Sequence, residues 1–265
     1  MMEIINLDKP KEELFFVCLD DWSEEIKEAG DHRLEWYNHM KSRGLGVKLA
    51  TDDNGVVGGM IQYVPIEYSF AEGEGLYFIK CIWVHGHKKG RGNFQKKGMG
   101  TALLKAAEED VRSRGAKGMA AWGITLPFWM KASWFRKHGY GRADRKGIQE
   151  LVWKPFSSDA VPPRWPEEKK KPRAGENPGK ITVTAFINGY CSVQNMVAER
   201  ARKAAAEFGD RVVFRLINTL DRDTFAEWGI SDALFIEDRN INTGPPLSYK
   251  KIKSRLSKSV RNLSR

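Results

Sequence analysis

The first 156 residues show two alternating patterns, one of period two and one close to 3.6. Val47-Lys-Leu-Ala-Thr51 and Val56 to Val64 flank the turn Asp52-Asp-Asn-Gly55, and apolar runs around Asn-Gly predict an antiparallel hairpin. Glu3 to Asn6 reads as a short opening strand, and Leu76 to Val84, rich in β-branched and aromatic residues, as a buried one. Ser23 to Arg43 reads as a helix with Ile26, Leu34, Tyr37 and Met40 on its buried face and Gly44 as its stop. Met99 to Arg114 repeats apolar residues at Met99, Leu103, Ala106, Ala107 and Val111, the spacing of a helix face. Met119 to Ile124 is a further strand, Pro127 to His138 a short helix, and Ile148 to Trp153 the strand that closes the sheet.

Residues 155–178 hold six of the eleven prolines, with the charged run Glu167 to Lys171 between them. Proline removes an amide donor and restricts the residue before it, so a long helix or central strand is excluded there. The division expected is a domain at 1–156, a proline- and charge-rich linker at 157–179, and a smaller domain at 180–265. In the latter, strands at Ile181–Ile187, Arg211–Ile217 and Ala233–Glu237 alternate with helices at Val193–Phe208, Thr224–Trp228 and after Pro246. Such alternation predicts an α/β (α+β) class with mixed sheets.

The chain of 265 residues carries 44 basic and 34 acidic side chains, a net charge of +10. Seven of the basic residues lie between Lys250 and Arg265, where no acid occurs, which reads as the solvated face of a helix. No RNA-type pattern of interleaved aromatic and basic residues accompanies the charge, so nucleic acid is an unfavoured partner. No apolar run reaches the length of a membrane span, and the N-terminus lacks a secretory pattern. Three cysteines, Cys18, Cys81 and Cys191, are too few and scattered for a disulfide framework. A cytoplasmic setting is the expectation; the oligomeric state is not legible.

The segment that carries most chemistry is Gln95-Lys-Lys-Gly-Met-Gly-Thr-Ala102, after a strand and at the start of a helix. Gly98 and Gly100 allow close backbone approach with amides turned outward. The positive end of the helix that follows favours a phosphate there. Lys88, Lys89, Arg91, Lys96 and Lys97 add mobile positive charge. A dinucleotide fingerprint is excluded because Leu103 stands where its third small residue belongs. A Walker loop is excluded because neither Gly98 nor Gly100 is followed by Lys-Ser/Thr.

Gln95-x-x-Gly98-x-Gly100 followed by Ala102-Leu-Leu104 resembles motif A of the GNAT N-acetyltransferases, and the resemblance extends over most of residues 1–156. It implies acetyl-CoA as co-substrate, with Gln95, Lys96, Lys97, Gly98, Met99, Gly100, Thr101 and Ala102 around its pyrophosphate. It also implies that Leu76 to Val84 splays from its neighbour, leaving Ile82, Trp83 and Val84 to pair with the pantetheine arm. Trp134-Phe-Arg-Lys-His-Gly-Tyr140 resembles the family's later helix, with Phe135 where a proton-donating tyrosine is common. Ile181 to Asn195 resembles a thioredoxin-like strand, turn and helix. Its Tyr190-Cys-Ser-Val-Gln194 keeps the first cysteine, Cys191, and replaces the resolving one by Gln194. With Cys-Ile-Trp-Val84, this layout is most similar to the YoaP-type subgroup.

Acetyl transfer to a small-molecule or peptide amine is therefore the expected activity. The alternative is a thiol-binding or redox protein whose first domain senses acetyl-CoA. The candidates for proton transfer are Cys81, Tyr140 and Glu74, with Glu67 and Glu72 in the same connection as Glu74. Cys81, His85 and His87 have a spacing that invites a metal, but Gly86 and the Lys-Gly run end the strand there, so no metal site is assigned. Trp22, Trp36, Trp83, Trp122, Trp129 and Trp134 are expected mostly in the core, some lining an acceptor pocket.

Overall fold

Asp52 shapes the hairpin: its carboxylate accepts the amides of Asn54 and Val56 at 3.0 and 2.8 Å. The two strands it joins, β2 (Gly46–Thr51) and β3 (Val57–Pro65), sit inside a seven-stranded sheet. Its other strands are β1 (Glu3–Asn6), β4 (Leu76–Val84), β5 (Gly118–Ile124), β6 (Gly141–Lys146) and β7 (Gln149–Pro155). They lie in the order β1-β2-β3-β4-β5-β7-β6, antiparallel throughout except for the parallel pair β4 and β5. This is a computed structural model that describes residues 2–126 and 130–263.

Helix α3 (Met99–Ser113) buries Met99, Leu103, Leu104, Ala107 and Val111 against Ile61, Tyr63, Ile79, Ala121 and Val152 on one face of the sheet. Each large side chain so enclosed contributes roughly 1.5–3 kcal/mol. The opposite face buries Ile66, Leu76, Phe78, Ala120 and Leu151. The remaining helices of the first half are α1 (Glu12–Phe16), α2 (His32–Met40) and α4 (Ala132–Lys137). The short helix expected from Pro127 is thus observed from Ala132; Pro127 to Trp129 lie outside the described residues.

Two expectations differ from the structure. Ser23 to Arg43 is not one helix: a 3-10 turn at Glu24–Ala29 ends at Gly30, whose φ of 62° breaks the path before α2. Leu34, expected inside, is 39% exposed, while Arg33 and Trp36 are enclosed. Strand β6 was not expected at all, because its four charged side chains carry no strand-like alternation. As an edge strand paired only with β7 it can keep them in water.

The chain forms two compact units, Met1–Trp22 with Asn38–Pro166, and Ser23–Tyr37 with Glu167–Arg265. The proline-rich stretch is divided between them. On the first unit, Arg164 pairs its backbone with Glu72, and Trp165 stacks on Phe70 with centroids 6.1 Å apart. On the second, the Gly175 amide donates to Glu237 and Lys170 pairs with Glu227. The second unit holds β8 (Ile181–Ile187), β9 (Val212–Asn218), β10 (Ala233–Ile236) and β11 (Arg239–Asn240) in the order β11-β10-β8-β9. The pair β8 and β9 is parallel, and β10 is antiparallel to β8. Helices α5 (Ser192–Ala206) and α7 (Tyr249–Leu263) share a core with one side of this sheet, and α6 (Arg222–Trp228) brings Trp228 to a second core with Phe186, Ile217 and Phe235.

Segment 23–37 is tied to α5 by polar groups. Arg200, whose side chain is 9% exposed, donates to Glu28 at 2.6 Å and Glu25 at 2.9 Å. His32 meets Glu199 at 2.8 Å. Both partner glutamates of Arg200 are largely solvated, which limits what each pair contributes. Replacing Arg200 by Ala removes both pairs and the packing of the enclosed stem. The expected cost is about 1–2 kcal/mol, read as a lower urea midpoint; an unchanged midpoint would show that the segment is held by other contacts.

Candidate functional site

Strand β4 sets the site. Its pairing to β3 runs to Val84, but its pairing to β5 stops at Ile79. The register to β3 shifts between Gln62, opposite Cys81, and Tyr63, opposite Ile79, so Lys80 is the extra residue of a bulge. Beyond it the two parallel strands diverge and leave a one-sided edge. Which groups face that edge follows from antiparallel pairing, in which successive residues turn their backbone towards and away from the partner. The His85 amide donates to Gly58 at 2.9 Å, so Trp83, opposite Met60, also turns towards β3. Ile82 and Val84 turn the other way. In agreement, the Lys80 carbonyl accepts from Trp122 Nε1 at 3.1 Å and the Val84 carbonyl from Gln95 Nε2 at 3.3 Å. Of the three predicted strand contacts, Ile82 and Val84 offer backbone groups to the gap; Trp83 spends its own on Met60.

The loop after β4 leads into α3. Gly98 is the N-cap at φ 86°, a left-handed geometry, and a Cβ there would meet nothing within 4 Å. Glycine is needed for the backbone rather than for room. Gly100 is the converse case: a Cβ would lie 3.4 Å from the Trp134 ring and 3.8 Å from Val84. Its smallness lets α3 start against β4 and α4. The Ala102 amide donates to the Gly98 carbonyl at 3.0 Å, the first turn of the helix. The amides of Met99, Gly100 and Thr101 precede it and have no acceptor within the helix. The eight predicted loop residues therefore do not act alike. Ala102 has no amide to offer and lies on the flank of α3 that faces Ile4 and Asn6.

The loop cations divide in the same way. Lys88, Lys89, Lys96 and Lys97 are exposed, the last with Nζ 5.5 Å from the Phe94 ring. Arg91, expected to be mobile, is pinned instead: it donates to the Val57 carbonyl at 2.8 Å and to Asp21 at 2.9 Å.

The candidates for proton transfer are scattered. Glu74 is exposed and precedes β4, so the length of that strand, about 25 Å, separates it from the loop. Glu72 pairs with Arg164, and Glu67 is exposed on a 3-10 turn. Tyr140 is buried beside Glu108; burial first, then that carboxylate, pushes its phenol well above the ordinary range. It holds its proton as part of the core behind α3. Phe135 is fully buried in the same core. Cys81 alone lies on β4 beside the gap, as a buried thiol outside any disulfide. Among the described residues no three His, Cys, Asp or Glu side chains converge as a metal site, and Cys81, His85 and His87 do not form one. Of the tryptophans, Trp36 is fully enclosed, Trp22 is 41% exposed, and Trp129 lies outside the described residues.

Sequence reading missed a polar cluster at the end of β4. His85 is wholly buried, with Nδ1 2.6 Å from the Gly92 carbonyl and Nε2 3.1 Å from Trp22 Nε1. A carbonyl only accepts, so Nδ1 carries the proton and Nε2 takes the indole's. Asp20 stands 3.7 Å from Nε2, with Oδ1 buried and without a hydrogen-bond partner. Burial raises its carboxyl from the ordinary 3.8, against the opposing pull of His85 and His87. No sequence signal marks it: Cys18 and Leu19, both left-handed at φ 55° and 66°, turn the chain at Asp20, and non-glycine residues rarely adopt that geometry.

In the second unit, Cys191 caps the N-terminus of α5 and is 8% exposed. Segment 23–37 covers its turn: Trp36 packs on Tyr190 at 6.4 Å, and Arg33 reaches Ser192 at 3.4 Å. Gln194, at the resolving position, accepts from Asn242 at 2.6 Å.

Residues 12–140 match the model of the Acetyltransferase (GNAT) family, which identifies a GNAT acetyltransferase domain in the first half of the chain. No curated protein matches. Among solved structures, the PaiA N-acetyltransferase of Thermoplasma acidophilum in complex with coenzyme A is 18% identical, with a TM-score of 0.44 over 59% of this chain and 99% of its own. A GNAT acetyltransferase of Brucella melitensis in complex with acetyl-CoA is 16% identical, with a TM-score of 0.43 over 63% and 96%. One from Staphylococcus aureus is 14% identical, with a TM-score of 0.44 over 59% and 100%.

Two tests follow from this geometry. Gly98→Asp forces a side chain onto a left-handed residue and sets a carboxylate beside the free amides. It is expected to abolish any rise in melting temperature that acetyl-CoA produces; an undiminished rise would remove the loop from the site. For Asp20 the raised carboxyl means that the folded state binds the proton more tightly than the unfolded one. Stability therefore rises as pH falls from the raised value to 3.8 and is lost as pH rises. Asp20→Asn should be more stable than the parent near neutral pH by about 1 kcal/mol, an advantage that shrinks through that acid window in urea titrations.

Proposed function

We propose that the protein is an acetyl-CoA-dependent N-acetyltransferase that acts on a small-molecule or peptide amine. The observation that carries this reading is the gap where β4 leaves β5 after Ile79, directly ahead of the free amides of Met99, Gly100 and Thr101. The residues fit the coenzyme. The amides and the positive end of α3 suit a pyrophosphate, with Lys96 and Lys97 exposed beside them. Ile82 offers an unpaired N–H and C=O to an amide-bearing arm, as a strand edge does for an extended ligand. When bound, acetyl-CoA supplies an activated acyl thioester. The backbone N–H groups of the gap would polarise its carbonyl without a side chain.

Departure of the thiol needs little help. A thiol with pKa of roughly 8–9 is a tolerable leaving group near neutral pH. That agrees with Phe135 at the position of the family's frequent tyrosine and with a Tyr140 phenol held in its neutral form by burial. Cys81 is the candidate of the three that lies beside the gap.

The second unit is proposed to be thioredoxin-like. The parallel β8 and β9, the helix α5 that follows Cys191, and the antiparallel β10 and β11 support this. Its role is binding or structural rather than redox, since Cys191 is buried and Gln194 has no thiol to resolve a disulfide. The sensor alternative has no observation in its favour.

The test is a panel of amines assayed for acetyl-CoA-dependent release of free thiol, preceded by thermal denaturation with and without acetyl-CoA. A raised melting temperature is expected, because a ligand bound only by the folded state stabilises it, and thiol release with at least one amine. Cys191→Ser should keep the rate within a few-fold. Absence of both the thermal shift and thiol release would refute the acetyltransferase reading; a collapse of rate in Cys191→Ser would bring the second unit into the chemistry.

A further inference from the structure

His138, at the end of α4, is hydrogen-bonded on both sides of its ring. Nδ1 lies 2.8 Å from the Trp134 carbonyl, and Nε2 lies 3.0 Å from Thr101 Oγ1. The carbonyl cannot donate, so Nδ1 holds a proton in every state. That leaves Nε2 to decide the direction of the second bond. In the neutral ring Nε2 is a lone pair, and the Thr101 hydroxyl must give it its only proton. In the imidazolium Nε2–H donates to Oγ1, and the hydroxyl proton is free to turn elsewhere. Thr101 is the third residue of α3 and one of the three whose amides have no helical acceptor, so its hydroxyl stands at the anion-seeking end of that helix.

We propose that His138 is a positioning residue for the coenzyme, one that sets whether Thr101 presents a donor or no donor to the bound phosphate. The inference rests on the coenzyme reading given above. Phosphate binding takes up one proton from water onto His138 Nε2; Nε2–H then donates to Oγ1, and the Thr101 O–H turns from Nε2 to a phosphate oxygen. No covalent bond other than N–H changes. The indole of Trp134, tilted with its centroid 4.2 Å from the imidazole, is placed to favour the cationic ring. The charged groups around His138 are Lys154 of β7, whose Nζ donates to the His138 carbonyl at 3.2 Å and to Glu108 of α3 at 2.7 Å. On its own helix are Lys137 and Arg136, the latter paired with Glu150 of β7.

The test measures acetyl-CoA affinity by calorimetry from about pH 5.5 to pH 8.5, the range over which an imidazole titrates. It is done on the full-length parent, Thr101→Val and His138→Gln, and repeated with the 3′-dephospho coenzyme, which lacks the phosphate monoester that titrates in the same range. The parent should lose about tenfold in affinity from low to high pH, the scale of one hydrogen bond to a charged group. Thr101→Val and His138→Gln should lack that component. In parallel, the His138 ring signals in NMR should titrate at higher pH in the coenzyme-loaded protein than in the free one. Equal pH profiles for the parent and both variants, or a His138 titration that coenzyme does not move, would overturn the inference while leaving the coenzyme site intact. Failure of the parent to bind at any pH would overturn the inference together with the acetyltransferase reading.

Discussion

The arrangement depends on the parting of two parallel strands. Between Leu76 and Ile79, β4 is paired on both sides; from Lys80 onward it is paired on one. The bulge at Lys80 accounts for this. The extra residue reverses which side chains face α3, from Tyr77 and Ile79 before it to Ile82 and Val84 after it, all of which pack on the same core. Trp122 of β5 occupies the opening, and its indole nitrogen bonds the Lys80 carbonyl in place of a neighbouring backbone amide. A strand edge with unpaired groups inside a sheet is costly unless a ligand or side chain meets them. Here the first carbonyl of the opening is met by an indole and the last by a glutamine, and Ile82 stands between them.

The same economy governs the loop. The chain needs a left-handed residue at Gly98 to start α3 and a residue without a side chain at Gly100 to press it against Val84 and Trp134. These two requirements put three free amides at the mouth of the gap. The framework thus shapes the loop through single residues, and polar side chains such as Gln95, Thr101 and His138 join the loop, β4 and α4 by hydrogen bonds. His85 does similar work at the end of β4, where its fixed tautomer links the Gly92 carbonyl to Trp22.

The second unit is built on another principle. It takes fifteen residues, Ser23–Tyr37, from within the stretch that forms the first unit. The attachment combines polar groups, Arg33, His32 and Arg200, with the buried side chains of Ile26, Ala29 and Trp36. The turn that carries Cys191 lies beneath it. A cysteine at a helix N-terminus is reactive when it is also partly exposed; this one is buried, and Gln194, where a resolving thiol would stand, is engaged with Asn242.

Much of the architecture was legible in the chain. The strands Glu3–Asn6, Leu76–Val84 and Ile181–Ile187 begin and end where alternation and β-branched residues place them, and α3 begins at Met99 as its apolar repeat requires. The loop that opens α3 was legible for the same local reason, because glycines, lysines and a helix start are all properties of adjacent residues. What local pattern could not supply were the features made by residues far apart. The charged edge strand β6 is a strand only because β7 lies beside it. Arg33 is inside, and Leu34 outside, because segment 23–37 folds onto α5. Glu74 is adjacent to β4 in sequence yet a strand's length from the loop, and Asp20 is distant in sequence yet beside His85. Short-range sterics and periodicity thus determined most of the elements and the loop that opens α3. Only the tertiary structure decided which backbone groups of β4 stay open, which polar side chains meet, and where each ionisable group loses its water.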